Sequence, residues 1–186
     1  MKTNILAIGG SNSRNSINKI LASYAASLIE NAEARLADLN DFELPLYSSD
    51  LEKSSGIPEN AVSFLELIKS ADGIVLSLAE HNGLFSAAFK NIFDWMSRID
   101  KNVWQNKPML LMATSPGSRG GANVLKTTKE LLPHFGGNVI ADFSLPSFYE
   151  NFSPEGLRNK GLNDSLNQKT RMLQEAIESK HEIIIK

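Results

Sequence analysis

Four stretches of the chain, residues 3–8, 73–79, 108–114 and 138–143, are rich in Ile, Val, Leu and Met and lack regular polar alternation. Strands read this way when both faces are covered, as in the middle of a parallel sheet. A fifth stretch, residues 35–39, mixes Leu36 and Leu39 with Arg35 and Asp38 and predicts a strand nearer an edge. Between these runs the apolar period changes to that of a helix. Ile17, Ile20, Leu21, Tyr24, Ala25, Leu28 and Ile29 form one stripe, and Phe85, Ala88, Phe89, Ile92, Phe93, Met96 and Ile99 form another. Val124, Leu125, Thr128, Leu131, Leu132 and Phe135 make a third, stopped by Gly136 and Gly137. A further helix starts near Pro58 and runs through Ala61, Val62, Leu65 and Ile68, and residues 162–177 predict a last one.

Strand and helix therefore alternate, which calls for parallel strands joined by right-handed crossovers with helices on both faces. The expected fold class is α/β, a three-layer sandwich around a five-stranded parallel sheet, with residues 1–186 as a single domain. Residues 40–56 and 144–161 are long enough to be functional loops rather than connections.

Charge and composition narrow the chemistry. With 19 Lys and Arg against 21 Asp and Glu, the net charge of −2 offers no basic footprint for a nucleic acid. Cys is absent, which removes disulfides, thiolate nucleophiles and iron–sulfur ligation, and leaves redox chemistry to a bound cofactor. No run approaches the roughly 20 apolar residues of a membrane span, and the apolar run after Met1 is too short for a signal peptide. A cytoplasmic location is the expectation. The three His residues lack metal-site spacing: His134 and His181 read as surface or helix-end positions, and His81 as a candidate cleft residue. Trp95 and Phe89 fall in a helical stripe and read as core or subunit-contact aromatics.

In open parallel sheets the ligand lies beyond the carboxyl ends of the strands, so the loops after strands matter most. The loop after the first strand carries Gly10, Ser11, Ser13, Arg14, Ser16, Ile17 and Asn18 ahead of a helix. Hydroxyls and amides at a helix N-terminus suit a phosphate, although the same residues also make an ordinary turn and cap. The loop matches neither the mononucleotide GxxxxGK[ST] pattern nor GxGxxG. A second polar loop holds Glu80, His81, Asn82 and Gly83. A third holds Ser115, Pro116, Gly117, Gly120 and Gly121, whose small or fixed-φ residues let backbone approach a flat ligand or simply turn the chain. All three loops are expected at one edge of the sheet, converging on one cleft.

These motifs in this order, with Lys90, Asn91, Asp94 and Trp95 following the second loop, resemble the flavodoxin-like NAD(P)H-dependent FMN reductases, which include quinone, azo-dye and chromate reductases. The resemblance runs from Ile5 to about Phe143. It implies the flavodoxin-like, doubly wound strand order 2-1-3-4-5, FMN as cofactor, and NADPH or NADH as co-substrate. The implied activity is a ping-pong transfer of reducing equivalents to a small acceptor such as a quinone, azo compound, flavin or metal ion. Ser11, Ser16, Asn18 and the backbone around Ile17 correspond to the family's phosphate site. Ser13 stands where many members carry Arg, with Arg14 one place later. Glu80, His81, Asn82 and Gly83 correspond to a Glu-Tyr-Asn-Gly segment whose backbone meets the isoalloxazine ring. Ala79, His81 and Leu84 depart from the commoner Pro, Tyr and Ser. Ser115, Pro116, Gly117, Gly120 and Gly121 correspond to the segment bordering the pyrimidine side of the ring. Arg14 and Arg119 are candidates for the phosphates of the nicotinamide nucleotide. Members are usually dimers or tetramers, so the helix after Ser86 and the stretch Pro45-Leu46-Tyr47 are candidate subunit contacts. The alternatives are a non-catalytic flavodoxin-type electron carrier and a serine hydrolase using Ser11.

Overall fold

The computed structural model describes residues 2–184, with side chains described through residue 180, so the side chain of His181 lies outside the described residues. Five strands form the central sheet: β1 Thr3–Gly10, β2 Ala32–Ala37, β3 Gly73–Leu78, β4 Pro108–Thr114 and β5 Asn138–Leu145. All are parallel, in the order β2-β1-β3-β4-β5. Five helices flank them: α1 Ile17–Ser27, α2 Glu59–Ser70, α3 Ala87–Ile99, α4 Ala122–Leu131 and α5 Lys160–Ile184.

The uninterrupted apolar runs have the predicted physical cause. Alternate residues of each central strand feed opposite layers, so the buried positions are filled by apolar side chains, with Ser77 and Thr114 near the carboxyl ends of β3 and β4 as buried polar exceptions. Leu6 and Ile8 of β1, with Ile74, Leu76 and Leu78 of β3, pack under Phe64, Leu65 and Ile68 of α2 and Phe89, Ile92 and Phe93 of α3. Ile5 and Ala7, with Val75, Leu110 and Met112, pack instead under Leu21, Ala22 and Ala25 of α1 and Leu166, Leu173 and Ile177 of α5. Trp95 and Phe89 are both core residues.

Boundaries differ where burial is thin. β2 begins at Ala32 and ends at Ala37, earlier than the expected 35–39, because four consecutive residues of this edge strand are exposed and leave no apolar pattern to mark its start. Residues 40–56 are not all loop: a short helix, Ser49–Ser55, is capped by the Ser48 hydroxyl accepting from the Leu51 N–H at 3.1 Å. The third helical stripe divides at Leu132, where Pro133 has no N–H for the α pattern and the chain tightens into a 3-10 turn ending at Gly136. Residues 144–161 contain a single helical turn, Phe148–Asn151, and a two-stranded ribbon, Phe152–Ser153 with Gly156–Leu157. Among the described residues no helix is long and apolar enough to cross a membrane.

Two polar ties place α1 against the sheet. Asn18, 2 % exposed, accepts from the Ser77 hydroxyl at 2.7 Å and the Thr114 N–H at 3.1 Å, and donates to the Thr114 carbonyl at 3.2 Å. One carboxamide thus joins the first turn of α1 to the carboxyl ends of β3 and β4. Lys19 pairs with Asp38 at the end of β2. Burial pushes the Asp38 carboxyl up, but hydrogen bonds from Lys19 and from the backbone and side chain of Asn40 outweigh it and hold it below its ordinary range.

Two measurements follow from these ties. Asn18→Leu leaves the Ser77 hydroxyl and the Thr114 N–H buried without a partner, at about 1–3 kcal/mol each. Thermal unfolding is therefore expected to shift down by roughly 5–15 °C, and an unchanged midpoint contradicts the tie. Because the folded pKa of Asp38 is depressed, its contribution is present above the unfolded value of about 3.9 and is lost as pH falls through the lower folded value. Asp38→Asn is expected to cost about 1 kcal/mol at pH 7, in urea unfolding, with the deficit disappearing toward pH 2. A deficit independent of pH contradicts the assignment.

Candidate functional site

The loop after β1 gathers hydrogen-bond donors at the N-terminus of α1. Ser11 and Ser16 are buried, at 3 % and 5 % exposed. Each hydroxyl oxygen accepts a backbone N–H: Ser11 from Ser13 at 3.1 Å, and Ser16, the N-cap of α1, from Lys19 at 3.3 Å. With an acceptor site so occupied, each hydroxyl keeps its proton to donate. Among the described hydrogen bonds none uses the N–H groups of Ile17 and Asn18, the first two residues of α1, and the first turn carries no acidic side chain. Two hydroxyl donors, two backbone donors and the positive end of the helix dipole therefore meet at one place. The carboxamide of Asn18 is engaged with Ser77 and Thr114, so this residue offers its backbone rather than its side chain.

The second loop is a tight hairpin. Glu80–His81 pairs antiparallel with Leu84–Phe85, and Asn82 and Gly83 form the two-residue turn with φ of 52° and 85°. Positive φ at both turn positions is the type I′ geometry that Asn-Gly supplies at low cost. His81 is exposed and lies across from Leu84. The Glu80 carboxylate leaves the hairpin and accepts the Val124 N–H in the first turn of α4 at 3.0 Å.

The third loop is fastened to the segment after β5. The Ser115 carbonyl accepts from the Phe148 N–H at 3.1 Å, and the Gly117 carbonyl accepts from the Ser147 N–H at 3.0 Å. Gly120, at φ 56°, runs so close to β5 that a Cβ would stand 2.5 Å from the Ser144 hydroxyl and 2.8 Å from the Leu145 carbonyl carbon. Gly121, also left-handed, opens α4.

The three loops meet around one cavity of about 290 Å3. Of the residues singled out from the sequence, Ser11, Ser13, Ser16, Ile17 and Asn18 line it from the first loop, Glu80 and His81 from the second, and Ser115 and Pro116 from the third. Asn82, Gly83, Gly117, Gly120 and Gly121 are not among its lining residues; Asn82, Gly83, Gly120 and Gly121 have positive φ and turn the chain. Arg14 is exposed and lines a separate groove of about 650 Å3 with Lys19, Ile20 and Leu36.

Asn15, Ala79, Thr114 and Tyr149 also line the 290 Å3 cavity and were not among the sequence candidates. Tyr149 is 67 % exposed and meets the buried Phe148 edge-on at 5.5 Å. No local pattern marks it, because its place depends on the bonds from Ser147 and Phe148 to the third loop.

A larger cavity, about 610 Å3, lies beyond the first loop at Asn12, between residues 39–46 and α3. Its lining residues include Glu43, Phe42, Leu44, Pro45 and Leu46. The strap it borders is held by α3. Asn91 donates to the Leu44 and Pro45 carbonyls at 3.3 and 3.1 Å and accepts from the Tyr47 N–H at 2.9 Å, while the Trp95 indole donates to the Pro45 carbonyl at 2.8 Å. The two candidate subunit contacts thus pack on each other, with Leu46 left 80 % exposed.

Residues 3–150 match the family described as NADPH-dependent FMN reductase. The chain is 30 % identical over 154 residues to a quinone reductase of Escherichia coli strain K12, covering 75 % of this chain and 79 % of that protein. It is 32 % identical over 136 residues to an NADPH azoreductase of a Bacillus species, covering 73 % and 72 %. Among solved structures, the flavoenzyme NAD(P)H:(acceptor) oxidoreductase FerB of Paracoccus denitrificans superposes with a TM-score of 0.75 at 26 % identity, over 96 % of this chain and 98 % of that one. With its strand order and a family match covering most of its length, the chain belongs to the family of NADPH-dependent FMN reductases.

Proposed function

We propose that this chain oxidises NADPH or NADH and, through FMN seated in the 290 Å3 cavity, delivers the electrons to a small acceptor of the quinone or azo class. The observation that carries the reading is the donor cluster at the mouth of α1, which opens into the same cavity as the hairpin and the loop after β4. The donors fit FMN in chemistry: hydroxyls and free amides for a phosphate, and backbone turns on either side for a flat ring. Held there, FMN would supply the two-electron redox chemistry, with the hydride equivalent coming from the nicotinamide nucleotide and the electrons leaving to the acceptor.

The protein's own part is binding and orientation. Ser11, Ser16 and the N–H groups of Ile17 and Asn18 hold the phosphate end. The rigid hairpin turn and the loop carrying Ser115 and Pro116 form the walls for the ring. α4 starts just beyond Gly121, so its N-terminal potential favours negative charge on the facing edge of the ring. The ping-pong order, in which nucleotide and acceptor use the same face of the ring in turn, is what the family resemblance implies. The acceptor class rests on the quinone- and azo-reducing relatives. The exposed side of the strap at Leu46 is where the reading places a second copy of this chain. For a hydrolase, Ser11 would need an imidazole partner, and its described side-chain bond is to the Ser13 N–H instead.

The protein loaded with FMN and desalted is expected to keep its visible flavin band, which bleaches on anaerobic addition of NADPH or NADH and returns when a quinone is added. A retained band that neither nucleotide bleaches would leave an electron carrier, and a desalted protein without flavin would remove the reading altogether. Ser16→Asp tests the phosphate placement separately. Asp caps a helix as well as Ser does, so the melting temperature of the apo protein should stay within a few degrees. The added carboxylate faces the phosphate, so FMN affinity should fall by about tenfold or more. Unchanged affinity would place the phosphate elsewhere.

A further inference from the structure

Helix α4 begins without a cap of its own. Its N-cap position is Gly121, no side chain of its own sequence bonds its first turn, and that turn carries no acidic residue. The missing partner comes from a different loop, since Glu80 at the foot of the hairpin accepts the Val124 N–H at 3.0 Å across a sequence separation of 44 residues. Glu80 also lines the 290 Å3 cavity.

This single carboxylate has two separable effects. As an acceptor it fixes the hairpin against the start of α4, and so sets the spacing between the two walls of the ring site. As a charge it stands at the positive end of α4, offsetting the potential that would otherwise favour electrons arriving in the cavity. We propose that Glu80 is a positioning residue that locks the two ring walls together and, by its negative charge, holds down the reduction potential of the bound flavin. The proposal rests on the reading that the cavity takes FMN.

The two effects come apart by substitution. Glu80→Gln keeps a carbonyl oxygen for the Val124 N–H and removes the charge, whereas Glu80→Ala removes both. The measurements are the two-electron midpoint potential of the FMN-loaded protein and the dissociation constant of oxidised FMN from the apo protein, for the native chain and both variants. For Glu80→Gln the expected result is a midpoint raised by the equivalent of about tenfold, or about 30 mV for a two-electron couple, with FMN affinity within about threefold of native. For Glu80→Ala the same upward shift is expected together with FMN binding weakened by about tenfold or more. A Glu80→Gln potential equal to native overturns the electrostatic role, and equal FMN affinity in the Ala and Gln variants overturns the positioning role. A native chain that fails to hold FMN overturns the functional reading and this one with it. FMN held with native potential and affinity in both variants overturns this proposal alone.

Discussion

The buried carboxamide of Asn18 is the constraint from which the geometry of the site follows. A ligand site at a sheet edge needs a helix N-terminus, strand ends and loops held in fixed relation, yet loops contribute little burial with which to hold themselves. Asn18 solves this with hydrogen bonds in place of apolar contacts, tying α1 to Ser77 at the end of β3 and to both backbone groups of Thr114 at the end of β4. Within one turn of this tie lie Ser16 and the N–H groups of Ile17 and Asn18, so these donors are placed to the accuracy of the tie itself. Asn18 therefore lines the cavity with its backbone N–H free while its carboxamide positions the turn that carries it.

The same division recurs in the other two loops. Asn82 and Gly83 turn the hairpin, and Gly120 lets its loop pass against the end of β5, while other residues form the cavity surface. Glu80 joins the hairpin to α4, and the carbonyls of Ser115 and Gly117 join the third loop to the segment after β5. Each wall is therefore pinned to a neighbouring element, which is what preorganised binding of a rigid flat ligand requires.

Much of the fold was legible because the residues concerned answer to a strong period. β1, β3 and β4 are covered on both faces and carry no polar alternation, and α1 and α3 show apolar stripes that match their buried residues. β2 was displaced because its exposed residues leave burial no pattern to write. The hairpin could have been read from Asn82-Gly83, the strongest short-range hairpin signal, but its strands are two residues long and give no alternation to support it. The candidate site was legible as polar loops after strands, and the motif holding Asn91 and Trp95 was recognisable. What those two side chains do was not, because the strap they hold lies 44 to 50 residues away in sequence. Tyr149 and the bond from Glu80 to Val124 share that obstacle: both arise from tertiary contacts that no local spacing encodes.

A crystal structure of the chain grown with FMN would distinguish the cavity lined by Ser11 to Asn18 from the larger one lined by Asn12 as the place of the phosphate. Phosphate oxygens are expected within about 3 Å of the Ser11 and Ser16 hydroxyls and of the N–H groups of Ile17 and Asn18, with the ring between the hairpin and the loop of Ser115 and Pro116. A phosphate bound beside Asn12 in the larger cavity between residues 39–46 and α3, with the Ser11 to Asn18 donors left to water, would contradict this placement.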